Sequence, residues 1–208
     1  MTMDQLTEVL ITKYQNHSRG KRPFIVGIDG LGGAGKTTIA RKLKLELEEV
    51  YCETSLLHID DYINKIKQRY QTGKEEWFEY YFLQWDVKLL QTELFDNLHN
   101  NKSFLTLPFY QSSSDSIIDK QINVELSSII LVEGIFLQRK EWRNYFDFMI
   151  YVDCSHELRA ERVLARDLYI GNYQARLDKY KRRYWIAEDY YCNNEDPMGN
   201  VNYIYLAK

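Results

Sequence analysis

Gly30, Gly35, Lys36 and Thr37 stand at the spacing Gly-x-x-x-x-Gly-Lys-Thr. These residue types at this spacing suit the holding of a polyphosphate. Glycines at 30, 32, 33 and 35 let the backbone take positive φ and come close to a ligand. The stretch from Gly30 through Ala34 to Thr38 then turns successive N–H groups inward as an anion nest. A helix starting near Lys36 adds its positive end. Lys36 is expected at the β- and γ-phosphates, and the Thr37 hydroxyl at Mg²⁺. The setting agrees. Residues 24–28 read as a short buried strand, and Ile39, Ala40, Leu43, Leu47 and Val50 recur at helical spacing. The alternative, a glycine-rich turn with no ligand, leaves the lysine and threonine unexplained.

Further acids lie at predicted strand ends. Thr54 to Ile59 reads as a strand that runs into Asp60-Asp61. A carboxylate there can take the proton of an attacking hydroxyl or hold Mg²⁺, or it can cap the next helix; beside a phosphate-binding loop the first reading gains. Ser128 to Val132 ends in Glu133-Gly134, where an acid suits a metal-orienting role and the glycine lets backbone pass close by. Asp86 opens a helix, where the helix dipole alone would explain it. Asp153, ending the strand over 145–152, is read as the cap of the following helix. On that helix Arg159, Arg162 and Arg166 follow i, i+3 and i+7, opposite Ala160, Val163 and Leu164. A row of arginines suits a polyphosphate whose charge must be stabilised during transfer. The competing reading is a solvated face with Glu161 and Asp167 as partners.

The elements that must position these residues alternate strand with helix, the pattern of an α/β protein with a parallel sheet. An amphipathic helix over 3–17 precedes a break at Ser18, Arg19, Gly20 and Pro23. Residues 64–82 are charged and aromatic with poor periodicity. They read either as a mobile, partly helical segment over the site or as a solvated insertion anchored by aromatics. A helix follows with Val87, Leu89, Leu90, Leu94 and Leu98. Extended runs at 104–110 and 117–124, with Ser112 to Asp115 between, read as a hairpin that could grip a substrate. Gly171 breaks the arginine helix. The basic helix over 173–191 also carries Asp178, Glu188 and Asp189 and is read as a solvated face. The last strand covers 201–206.

At 208 residues the chain is expected to form one domain with a sizeable core. Net charge is −3, so no bulk basic field draws it to nucleic acid. Cys52, Cys154 and Cys192 have no metal-ligand spacing, and no segment approaches membrane-spanning length. Reduced thiols and the lack of a signal-like N-terminal run make a cytoplasmic protein the expectation.

Four blocks together resemble the uridine kinase and phosphoribulokinase group of P-loop kinases, nearest to the uridine kinase-like branch. They are Gly27 through Thr38, Asp60-Asp61-Tyr62, Ile130 through Ile135, and Val152 through Asp167. The resemblance implies a P-loop NTPase three-layer sandwich, with a central parallel sheet, helices on both faces and an inserted β-hairpin near 103–126. It implies ATP and Mg²⁺, a small hydroxyl substrate such as uridine or cytidine, and a lid near 155–175. Carried over residue by residue, it puts the catalytic base at Asp60 with Asp61 as the near alternative. The ribose-binding acid falls on Asp86, a base-stacking aromatic on Tyr110, the strand-end acid on Glu133, and the lid arginines on Arg159, Arg162 and Arg166. It also leaves room for a homo-oligomer. Two departures bear on the acceptor. The hairpin histidine of uridine kinases is matched by Asp115, and Gln84-Trp85-Asp86 lacks the usual His-Pro-Asp. A different nucleoside, or another small alcohol, therefore fits as well as uridine.

A nucleotide-dependent switch acting on a protein partner would also use a phosphate-binding loop. The guanine-reading Asn-Lys-x-Asp is absent, since Asn64-Lys65-Ile66-Lys67 lacks the final acid. A binding protein that has lost catalysis is opposed by the presence of Lys36, Thr37, Asp60 and Glu133.

Overall fold

The computed structural model describes residues 3–17, 22–50 and 52–207; Ser18, Arg19 and Gly20, read above as a break, lie outside them. Five strands form one sheet in the order β2-β5-β1-β6-β7. They are β1 (Phe24–Asp29), β2 (Thr54–His58), β5 (Ile129–Glu133), β6 (Phe148–Asp153) and β7 (Tyr203–Leu206), and every pairing is parallel. β1 and β5 are buried at every residue, which explains their unbroken apolar runs: a parallel strand covered on both faces has no polar side to show.

Alternation along the strands splits the core in two. Phe24, Val26 and Ile28 face α1 (Met3–Asn16) and α2 (Lys36–Glu49), meeting Leu6, Leu10, Leu43 and Leu47. Ile25, Ile130, Val132 and Met149 face the opposite layer. That layer holds α3 (Glu76–Phe82), the helical run 87–99 (α4) and the helical run 173–195 (α6). The three-layer sandwich is thus present. No described helix is long and apolar enough to cross a membrane.

The hairpin forms its own two-stranded antiparallel sheet, β3 (Phe104–Gln111) with β4 (Ser116–Asn123). Leu105 and Leu107 alternate into the core while Thr106 points out, the period of a half-buried strand. Two details differ from expectation. Helix α5 (His156–Arg166) is capped by Ser155, whose Oγ accepts from Leu158 N, and not by Asp153. The 173–195 run is not a solvated face, because Arg183 and Glu188 on it are buried.

Parallel register brings the strand ends level: His58 and Ile28 both pair with Glu133. A single 3₁₀ turn, Ile59–Tyr62, follows β2. Gly134 lets it approach, since a Cβ at 134 would lie 2.1 Å from Ile59 Cγ2. Ligands of open α/β sheets bind outside these carboxyl ends, and there the residues singled out by type come together.

Candidate functional site

The loop between β1 and α2 has the backbone its glycines allow. Gly33 has φ +80° and Gly35, in the left-handed region, is the N-cap of α2 with no side-chain cap. The first N–H groups of α2 are therefore left to bind an anion. Lys36 Nζ donates to Leu31 O at 3.0 Å. Thr37 Oγ1 donates to Glu133 Oε1 at 2.9 Å, and His58 Nδ1 lies 2.6 Å from the same oxygen. No group of three or more metal-binding side chains exists among the described residues. A hydroxyl and one carboxylate fit Mg²⁺ well, because that ion takes few protein oxygens and leaves the rest to phosphates and water.

A cleft of about 1150 Å³ opens beside the loop. Gly32, Gly33, Lys36, Thr37, Asp60 and Glu133 line its phosphate end. Its far wall comes from the 63–84 segment, from Tyr110 and Ser112 of the hairpin, and from Tyr180 and Tyr184 of α6. So 64–82 is structured here as the turn Ile66–Arg69 and α3, and it borders the cleft. Asp60 is open to the cleft but ringed by protein. Burial raises its pKa, with Glu133 and Asp61 adding to the rise and Lys36 and Arg166 opposing it.

Not every predicted residue reaches this cleft. Asp61 is partly buried and off the wall. Asp86, the residue on which the ribose-binding acid was expected to fall, is exposed outside the cleft. Its Oδ1 accepts from Leu89 N at 3.0 Å, capping α4, so here the bland reading holds.

The three arginines share one stripe of α5 but differ in what they touch. Arg159 is 6 % exposed and lies under the loop, donating to Gly32 O at 3.3 Å and to Glu188 Oε2 at 2.8 Å. Glu188 Oε1 accepts from Gly32 N at 2.8 Å, so that amide is engaged inside the protein. Arg162 donates to Gly33 O at 3.2 Å and lines a second cleft of about 970 Å³ with Ala34, Gly35, Thr38 and β7. Arg166 is exposed on the main cleft, with its Nε 2.6 Å from Asp167 Oδ1. α5 presses so closely on the loop that a Cβ at 33 would lie 2.7 Å from Arg159 O. Gly33→Ala, which is also strained at its positive φ, should lose about 1–3 kcal/mol of stability. Thermal melts and nucleotide titrations should show a lower Tm and weaker ATP affinity together.

Sequence reasoning missed His58, Glu188, Arg69 and Gln84. Each looks ordinary in one dimension; only its three-dimensional surroundings mark it out.

Fold and site define a P-loop phosphotransferase that acts on a hydroxyl group. The model of the phosphoribulokinase/uridine kinase family matches residues 25–183. A uridine kinase of Borrelia duttonii (strain Ly) is 33% identical over 154 residues, 69% of this chain and 67% of that protein. A uridine kinase of Limosilactobacillus reuteri (strain DSM 20016) is 28% identical over 151 residues, 72% of this chain and 67% of that protein. A solved structure, of a possible uridine kinase from Bacillus stearothermophilus, superposes with TM-score 0.81 at 37% identity, covering 98% of this chain and 96% of that chain. The chain belongs to the phosphoribulokinase/uridine kinase family.

Proposed function

We propose that the chain uses ATP to phosphorylate a hydroxyl of a small molecule seated in the main cleft. The observation that carries this reading is one shared cavity: Asp60, Lys36, Thr37 and Glu133 line it together. The loop amides and Lys36 hold the triphosphate. Arg162, Ile39 and Tyr205 border the second cleft, which accepts the base of the nucleotide. Thr37 and Glu133 would hold Mg²⁺, which would supply positive charge to offset that of the triphosphate. Asp60 accepts the proton of the acceptor hydroxyl as its oxygen attacks in line. Arg166, exposed on the main cleft at the end of α5, is the arginine that reaches the moving phosphoryl group, while Arg159 acts through the loop it supports.

The names of the relatives support a nucleoside acceptor such as uridine or cytidine, and Tyr110 offers a ring for a base. A second reading, a non-nucleoside alcohol, is favoured by Asp86, which caps a helix outside the cleft.

The test is ADP release from MgATP across nucleosides and small alcohols. One acceptor should raise release well above the basal rate. Basal hydrolysis unchanged by every acceptor, with ATP bound normally, would instead favour a switch acting on a protein partner.

A further inference from the structure

Four arginines are buried among the described residues: Arg69, Arg139, Arg159 and Arg183. Three have a carboxylate. Arg139 has Glu141 at 3.3 Å, Arg159 has Glu188 at 2.8 Å and Arg183 has Glu79 at 3.1 Å. No ion pair of the described residues includes Arg69, although it is only 8 % exposed. Its Nε donates to Asn64 O at 2.7 Å and its Nη2 to the Tyr110 hydroxyl at 3.3 Å. Those acceptors are neutral; the nearest acid in the network, Asp115, is reached only through the Tyr110 hydroxyl, which donates to its Oδ1 at 3.0 Å.

Burying a charge without a counter-charge is costly, and Arg69 stands on the wall of the main cleft. Other cations stand on or behind this wall, of which Arg183 is already paired with Glu79. Lys67 is also on the wall. Around the Tyr70 ring stand Arg69 Cζ at 5.0 Å, Lys179 Nζ at 5.2 Å and Arg183 Cζ at 3.9 Å from its centroid. Burial pushes the Tyr70 phenol up, yet these cations hold it below its ordinary value. A second unmet group is buried beside the same space. Gln84 is 8 % exposed, lines the cleft, and its Oε1 has no hydrogen-bond partner.

We infer that the acceptor is a small hydroxylated anion, its carboxylate or phosphate received by Arg69 with Lys67. This rests on the kinase reading above and selects the non-nucleoside acceptor. A nucleoside, being neutral, would leave the Arg69 guanidinium uncompensated. Asp60 and Glu133 stand at the phosphate end of the same cleft, while Asp167 and Glu188 are engaged by Arg166 and Arg159, so none of these acids neutralises Arg69.

The test is binding to the enzyme saturated with Mg²⁺ and a non-hydrolysable ATP analogue, which fills the loop and removes it as an anion site. Calorimetric titrations use glycerol, D-glycerate and glycerol 3-phosphate, then ribose, ribose 5-phosphate and uridine. At least one anion should bind roughly ten- to a hundredfold tighter than its neutral counterpart. Preference for the acid or the phosphate identifies the group. Arg69→Gln should abolish that ratio, Arg69→Lys should keep part of it, and neither should lower the affinity for the ATP analogue. Uridine or a neutral sugar binding as well as every anion, binding of no anion, or an anion preference that survives Arg69→Gln would each overturn the inference. ADP release is measured in parallel. A compound that binds through Arg69 without raising release would sink the kinase reading alone.

Discussion

Asp60→Asn should lower kcat by about 10²–10⁴-fold, the usual contribution of a general base, with ATP affinity unchanged. The amide keeps the shape but cannot take the proton of the acceptor hydroxyl, so the loss falls on the step and not on ground-state binding. The wild-type rate should also carry an acid limb. Burial raises the Asp60 pKa above its ordinary 3.8, so the base is lost to protonation at a higher pH than a free carboxylate would be. Stability moves the other way. A carboxyl whose folded pKa is raised contributes most below its unfolded value, and that contribution disappears as pH rises through the folded value. Asp60→Asn removes this pH-dependent loss, so at pH 8 the variant should melt at or above the wild type while being nearly inactive. A kcat within a fewfold of wild type would reject Asp60 as the base. A variant that melts well below wild type would show the carboxylate holding the fold instead.

Arg159→Met is expected to act on stability first. The change leaves Glu188 buried without its counter-charge, which costs roughly 3–5 kcal/mol and, for a protein of this size, roughly 6–20 °C in Tm. Burial already raises the Glu188 pKa, with Arg159 and Gly32 N–H opposing the rise. Removing Arg159 strengthens the rise, so the deficit of the variant should shrink as pH falls and Glu188 takes a proton. Arg159→Met with Glu188→Leu should recover part of the Tm, since two apolar side chains replace a paired charge. It should still bind ATP more weakly, because Gly32 N then lacks the acceptor that holds the loop. Differential scanning calorimetry against pH, beside nucleotide titration, reads both effects. A large fall in kcat with an unchanged Tm would mean that Arg159 reaches the phosphoryl group directly.

The contrast between Arg159 and Arg166 shows where one-dimensional reading stops. Spacing puts both on one stripe of a helix, and spacing is all a sequence contains. Which side of the stripe is buried depends on a carboxylate 29 positions away, Glu188, carried in by another helix. Asp86 meets the same limit: a carboxylate that caps a helix and one that binds a ligand look alike until the neighbours are known.

By itself the sequence determined the phosphate-binding loop, the two strand-end acids, the parallel α/β core and the hairpin. All of these rest on interactions within a few residues or on periodicity, which survive in one dimension. Tertiary structure alone decided that Asp60 and not Asp61 borders the cleft, that Arg159 supports the loop, and that Arg69 lies buried on the cleft wall without a counter-charge. The reason is physical. A charge acquires a role only through what neutralises it, and in this fold the partners of Arg159 and Arg183 lie 29 and 104 positions away.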